Sequence, residues 1–214
     1  MTRKEILRKI YEQKLMAIIR LQENESVSAV IGALIEGGIK VLEVTLNTPN
    51  AYQHISTFSS RAELDITMGA GTVLNAEDSK KAIEAGARFI VTPCFNPSII
   101  DQAHSQGVPV FMGAMTPTEA QNAYVGGADV IKIFPAGTLG LPYFKAIKAP
   151  LNHIPMMPTG GVNVNNVKDW LDAGAVALGV GSSLTSKEAI EKKDYARLRE
   201  TAQSFIKVLE KLNT

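Results

Sequence analysis

Val125-Gly126-Gly127-Ala128, followed almost at once by Val130-Ile131-Lys132-Ile133-Phe134, joins the end of a helical stretch to a β-branched run. Glycine just past a helix end supplies the left-handed cap that turns a chain into its next strand. The same turn recurs at Glu36-Gly37-Gly38-Ile39, Glu84-Ala85-Gly86-Ala87 and Asp172-Ala173-Gly174-Ala175. Each interval between these turns holds two strand–helix units, so the repeat marks strands 2, 4, 6 and 8. Working outward, eight short runs read as strands: residues 15–20, 41–46, 66–73, 89–92, 108–113, 130–134, 154–159 and 177–181. Amphipathic stretches such as 27–36, 76–85, 118–125 and 164–173 lie between them. Alternating strand and helix argues for a parallel sheet with crossover helices. Eight such units in a chain of 214 residues predict an α/β fold, a single (β/α)8 TIM barrel domain over residues 1–214. A helix precedes the first strand. Residues 187–212 repeat apolar positions at Tyr195, Leu198, Ala202, Phe205, Ile206 and Leu209, which reads as one long C-terminal helix.

Bulk properties exclude several function classes. The formal net charge is +1, with 45% hydrophobic and 20% charged residues. That is an ordinary globular composition without the basic footprint of a nucleic-acid binder. No apolar run approaches the roughly 18 residues needed to span a bilayer, and residues 1–14 lack the apolar core of a signal peptide. Cys94 is the only cysteine, which precludes an internal disulfide and fits a reducing compartment. The expected location is the cytoplasm. Cys94 reads as a packed small hydrophobe rather than a nucleophile. His54, His104 and His153 lack ligand spacing, so no metal site is expected, and Trp170 and the methionines read as core or interface filler.

The fifth residue on from each repeat glycine is Glu43, Val91, Lys132 or Gly179. Alternate strands of such a barrel contribute side chains to a common interior layer. Two of these four residues are charged and one has no side chain, so the layer is hollowed for chemistry. Burial of Lys132 pushes its pKa down, and a neutral amine attacks a ketone to form a Schiff base. The bland alternative is a lysine that snorkels outward between helices. Burial of Glu43 raises its pKa and makes it a proton shuttle. Its alternative is a buried ion pair with Lys132 that does no chemistry. Pro158-Thr159-Gly160-Gly161-Val162 and Gly179-Val180-Gly181-Ser182-Ser183 follow strands 7 and 8, where backbone N–H groups and a following helix N-terminus cradle phosphate; simple turn chemistry is the alternative. Thr72, in Gly69-Ala70-Gly71-Thr72, offers a hydroxyl to a carboxylate, and Arg20 ends strand 1 as a guanidinium matched to carboxylate or phosphate. Arg20 is otherwise a solvated surface residue. Pro93 and Phe134 supply apolar walls.

These residues carry a resemblance. Val41-Leu42-Glu43-Val44-Thr45, Gly69-Ala70-Gly71-Thr72-Val73, Ile131-Lys132-Ile133-Phe134-Pro135 and Pro158-Thr159-Gly160-Gly161, in that order, resemble the 2-keto-3-deoxy-6-phosphogluconate / 4-hydroxy-2-oxoglutarate aldolases, which are class I, Schiff-base enzymes. The resemblance implies Lys132 as the Schiff-base lysine and Glu43 as general acid/base. It implies Arg20 and Thr72 at the keto-acid carboxylate, Pro93 and Phe134 along the pocket, and Gly160, Gly161, Gly181 and Ser182 at the phosphate. It also implies a homotrimer acting on a small keto-acid phosphate, without cofactor or metal. Some members carry arginine four residues after the glutamate, where this chain has Asn47. The Asn47-Thr48-Pro49 turn also looks like the 6-phosphogalactonate aldolases, which tend to have valine in place of Thr159. A phosphosugar isomerase or epimerase, and a non-catalytic sugar-phosphate binder, are the competing readings on the same barrel.

Overall fold

The computed structural model describes residues 1–23 and 26–212. Helix α1 (Arg3–Gln13) leads into β1 (Leu15–Ile19), α2 (Val27–Glu36), β2 (Val41–Thr45), α3 (Ala51–Ser59), β3 (Thr67–Gly71), α4 (Ala76–Glu84) and β4 (Ile90–Val91). Then follow α5 (Pro97–Ser105), β5 (Val110–Ala114), α6 (Pro117–Val125), β6 (Val130–Ile133), α7 (Ala136–Lys148), β7 (Met156–Pro158), α8 (Val167–Asp172) and β8 (Leu178–Val180). The chain finishes with α9 (Lys187–Glu191) and α10 (Tyr195–Leu212). The strands pair in parallel in the order β7-β6-β5-β4-β3-β2-β1-β8. The Thr159–Gly179 bridge and the bond from Val176 N–H to the Met156 carbonyl at 3.0 Å bring β8 back to β7, so the barrel closes.

The repeat glycines behave as their positions require. Gly38, Gly86, Gly127 and Gly174 have φ between 92° and 104°, a region a side chain rarely enters. Each reverses a helix into an even-numbered strand in the same way, which keeps those strands in common phase. Outward residues of the strands, such as Leu42, Val44, Ile131 and Ile133, join the helices in the outer core. Inward residues Met16, Val41, Phe89, Val91, Phe111, Val130, Met157 and Ala177 form a second apolar cluster with Ile6 and Ile10. Helix α1 supplies those two isoleucines, so it plugs the end of the barrel where the strands begin. Its own start is fixed by a capping box between Thr2 and Glu5.

Residues 187–212 do not form one helix. Lys193 has φ 54° and breaks the run, and the Asp194 carboxylate accepts the Arg197 N–H at 3.1 Å to start α10 afresh. The apolar period belongs to α10, where Leu198, Ala202, Phe205 and Leu209 are buried. The stretch 164–173 likewise holds a shorter helix, because Asn166 accepts the Asn163 N–H at 2.8 Å and keeps the preceding residues in a turn. Cys94 is exposed rather than packed, in the turn after β4. No helix among the described residues is long and apolar enough to cross a membrane.

Candidate active site

Val41, Phe89, Val130 and Ala177 belong to the inner cluster on β2, β4, β6 and β8 or the residues leading into them. Side chains two residues further on point to the same side, and these are Glu43, Val91, Lys132 and Gly179. Val91 still packs with the inner cluster and makes the floor. Above it, glycines on neighbouring strands make room. A Cβ on Gly71 would overlap the Glu43 carboxylate and stand 2.6 Å from its Cγ, so the Glu43 side chain lies across the face of Gly71. A Cβ on Gly179 would overlap the Thr159 hydroxyl. The interior layer expected from the repeat is thus hollow, and two ionisable groups occupy it.

Lys132 is 3% exposed and Glu43 is 0% exposed. The snorkelling reading of Lys132 fails, since Nζ lies 5.2 Å from the centre of the Phe134 ring and the side chain lines an interior cleft. Burial holds the Lys132 amine well below the ordinary lysine value; the charge of Glu43 opposes this and that of Arg20 adds to it. Burial pushes the Glu43 carboxyl up, against the pull of Lys132 and Arg20. Neither carboxyl oxygen of Glu43 has a hydrogen-bond partner. A hydrogen-bonded ion pair, the one arrangement that stabilises two buried charges, is therefore not formed. Burial thus shifts both groups toward their neutral forms, the amine and the acid.

Lys132, Arg20, Phe134 and Thr159 line a cleft of about 280 Å³. Gly160, Gly161, Gly181 and Ser182 line its other side, together with Val162 and Ser183 of the same two turns and with Ile18 and Thr185, which the sequence did not single out. Among the described residues, the N–H groups of Gly161, Ser182 and Ser183 have no backbone acceptor, whereas that of Gly160 faces the Gly179 carbonyl in the bridge to β8. The first three are donors in two adjacent loops, available to an anion. Helices α8 and α9 begin only at Val167 and Lys187, so the loops themselves rather than helix ends face the cleft. The Thr159 hydroxyl is buried and unpaired at the cleft wall. Arg20 donates from Nη2 to Thr72 Oγ1 at 3.3 Å, which brings Thr72 to the rim, and Thr72 itself sits at φ 55°. A non-glycine residue held in that region is strained, and such strain collects at functional sites. Pro93 is half-buried with its carbonyl packed over Gly113, and is not among the residues that line the cleft.

A larger hollow of about 480 Å³ opens at the opposite end of the barrel, beside α1 and α10. Lys9 and Lys40, in its lining, pair with the solvated Asp65 at 2.8 Å and 3.7 Å. The buried Lys132 lines the smaller cleft instead, at the ends of the strands, where barrels of this kind carry their active sites. Among the described residues, no group of three or more His, Cys, Asp or Glu side chains is placed to hold a metal ion.

The family model for KDPG and KHG aldolases matches residues 6–201. A probable 2-dehydro-3-deoxy-6-phosphogalactonate aldolase of Rhizobium meliloti is 37% identical over 174 residues, 81% of this chain and 82% of that one. The crystal structure of KDPG aldolase from Legionella pneumophila, with pyruvate captured as a covalent carbinolamine, superposes with a TM-score of 0.83 at 27% identity, over 96% of this chain and 98% of that one. A cube-shaped protein cage designed by fusing symmetric oligomeric domains matches with a TM-score of 0.81 at 34% identity, over 92% of this chain and 72% of that one. Aldolases are lyases, which sets aside the isomerase, epimerase and non-catalytic readings. A buried lysine and glutamate inside a parallel barrel, and a family match spanning nearly its whole length, lead to one conclusion: the chain belongs to the KDPG and KHG aldolase family.

Proposed function

We propose that the chain, as one barrel domain, reversibly cleaves 2-keto-3-deoxy-6-phosphogluconate to pyruvate and glyceraldehyde 3-phosphate, and 4-hydroxy-2-oxoglutarate to pyruvate and glyoxylate. The observation that carries this reading is a buried Lys132 that lines the cleft and interacts with a buried, unpaired Glu43, with burial lowering the lysine's pKa. The Lys132 amine adds to the C2 ketone to give a carbinolamine. Loss of water, with a proton from Glu43, leaves the cationic imine. Glu43, now a carboxylate, takes the proton of the C4 hydroxyl through a water while the C3–C4 bond breaks. The electron pair passes into the imine to form an enamine, and the aldehyde departs. Protonation at C3 and addition of water then release pyruvate and restore the amine.

Arg20 and Thr72 hold the keto-acid carboxylate, Pro93 and Phe134 bound the pyruvyl end, and the Gly160-Gly161 and Gly181-Ser182 turns, with the free N–H groups of Gly161 and Ser182, receive the phosphate. Thr159 is the residue that reads the C4 hydroxyl: its own hydroxyl is buried, faces the cleft and needs a partner. A galactonate preference is the second reading, favoured by the Asn47-Thr48-Pro49 turn and by the Rhizobium relative. Rates of pyruvate release from the two phosphorylated acids and from hydroxyoxoglutarate, coupled to lactate dehydrogenase, decide between them.

Borohydride added with pyruvate is the direct test of the chemistry. The intact mass rises by one reduced pyruvyl adduct, and Lys132→Met abolishes the gain. An adduct that survives this substitution refutes the assignment. The assembly is a homotrimer. Leu74, Phe95, Met115 and Val125 are exposed apolar residues in the loops after β3, β4 and β5 and at the end of α6, the kind of surface an oligomer covers. Light scattering on the purified protein gives three times the chain mass; a monomer would remove this part of the reading.

A further inference from the structure

The turn after β2, Leu46-Asn47-Thr48-Pro49, brings no guanidinium to the cleft. It does bring two buried hydroxyls, Thr45 at 0% and Thr48 at 2% exposure. Both are turned toward the end of β1. Thr45 Oγ1 donates to the Ile19 carbonyl at 3.2 Å. Thr48 Oγ1 accepts the Leu21 N–H at 3.3 Å, and lies 3.1 Å from Thr45 Oγ1 and 3.4 Å from the Ile19 carbonyl. The carbonyl just before Arg20 and the N–H just after it are therefore held by the same turn. The β1–β2 ladder ends at the Ile19–Val44 pair, so nothing in the sheet fixes the backbone at Arg20. The Arg20 side chain is exposed, and its hydrogen bond is the one to Thr72. Its direction is set largely from the backbone.

We infer that Thr48 is a positioning residue that aims Arg20 at the carboxylate of the keto acid. The β2 turn, which has Asn47 and no arginine, brackets the arginine that follows β1 instead. This inference rests on the proposed role of Arg20. A hydroxyl is what the site needs, because only a group that accepts from Leu21 and donates toward Ile19 or Thr45 spans both peptides.

The test is a double-mutant cycle read as KM for pyruvate in the condensation direction, with active sites counted by borohydride trapping. Thr48→Val removes the hydroxyl at nearly constant volume. KM rises about tenfold, the size of one lost charge-assisted hydrogen bond, while kcat per trapped site stays within about twofold. Thr48→Ser restores KM. Thr48→Val adds nothing in an Arg20→Ala background, because the two residues act as one unit. Where Thr48→Val does not fold, Thr48→Ala takes its place in the cycle. An unchanged KM in the folded variant, a Thr48→Ser enzyme as impaired as Thr48→Val, or an undiminished effect in Arg20→Ala overturns the inference. An Arg20→Ala enzyme with normal KM refutes the carboxylate role itself, and is distinguishable because it needs no Thr48 variant.

Discussion

Gly71→Ala tests the placement of Glu43 without touching any ionisable group. Gly71 lies in β3 and has no positive φ, so alanine suits its backbone. The added methyl group has no room. It overlaps the Glu43 Oε1 and Cδ and stands 2.6 Å from Cγ, closer than real carbon atoms approach. Glu43 is 0% exposed, so its side chain has no solvent to swing into and must shift against packed neighbours. Overpacking of this kind costs about 1–3 kcal/mol of stability. The effect on turnover is larger. A general acid–base group contributes about 10²–10⁴-fold, and a displacement of this size removes most of it. The expected Gly71→Ala enzyme is folded, traps pyruvate on Lys132 at full stoichiometry given time, and releases pyruvate from the phosphorylated acid about a hundredfold or more slower. The assay is coupled pyruvate release, run beside urea unfolding and borohydride trapping. A folded variant whose kcat stays within about threefold of the parent refutes the reasoning. Glu43 would then not be the proton shuttle, or would reach the substrate from a position that the methyl group does not block.

Glu43→Gln separates the acid from its shape and gives a pH signature. Burial raises the folded-state pKa of Glu43 above 4.5, so below that value both states are protonated and stability is full; as pH rises the unfolded chain loses its proton first, and stability falls until the folded pKa is passed. Urea unfolding across pH therefore shows the parent losing ground to Glu43→Gln as pH rises from 4.5, and a flat or rising difference contradicts the burial argument. Gly32→Ala is the counterpart on the outside of the barrel: it lies within α2, and a Cβ there meets nothing within 4 Å. It raises stability by about 0.5–1 kcal/mol through helix propensity alone and leaves turnover unchanged; a destabilised variant shows that the space is occupied.

The barrel was legible because its grammar is local. A cap glycine is demanded by the turn from helix to strand, wherever that turn occurs, and equal turns give equal counts to the next inward residue. That is why Glu43 and Lys132, far apart in the chain, are found in one layer from spacing alone. The partners that make the layer work are not local. Nothing near Gly71 says that Glu43 lies across it, and nothing near Thr48 says that its hydroxyl holds the backbone beside Arg20. Those relations depend on the register between neighbouring strands. The break at Lys193 was hidden for a different reason: a residue with a side chain adopted the left-handed conformation that usually announces itself as glycine. The Gly160-Gly161 and Gly181-Ser182 turns were visible as loops that meet at one cleft. Their distance from α8 and α9 was not, because the asparagine turn at 163–166 reads as the start of the helix.

The charges around Lys132 favour the order of events in the proposed reaction. Before substrate arrives, Arg20 and burial both disfavour a cationic lysine, and only Glu43 favours one. The balance is thereby tilted toward the nucleophilic amine. The covalent intermediate, however, is a cation at the same nitrogen, and the field that helps the first step opposes the next. Binding resolves this if Arg20 is the carboxylate partner. Pairing with the anionic substrate cancels most of the guanidinium's field just as the nitrogen becomes an imine, and transfer of the Glu43 proton leaves a carboxylate facing the new cation. Each charge thus appears together with its counter-charge. The acid is left unbonded in the resting layer for the same reason. A hydrogen bond from Lys132 to Glu43 would lock both groups in their charged forms, and the hollow made by Gly71 and Gly179 would then hold a salt bridge instead of a reaction.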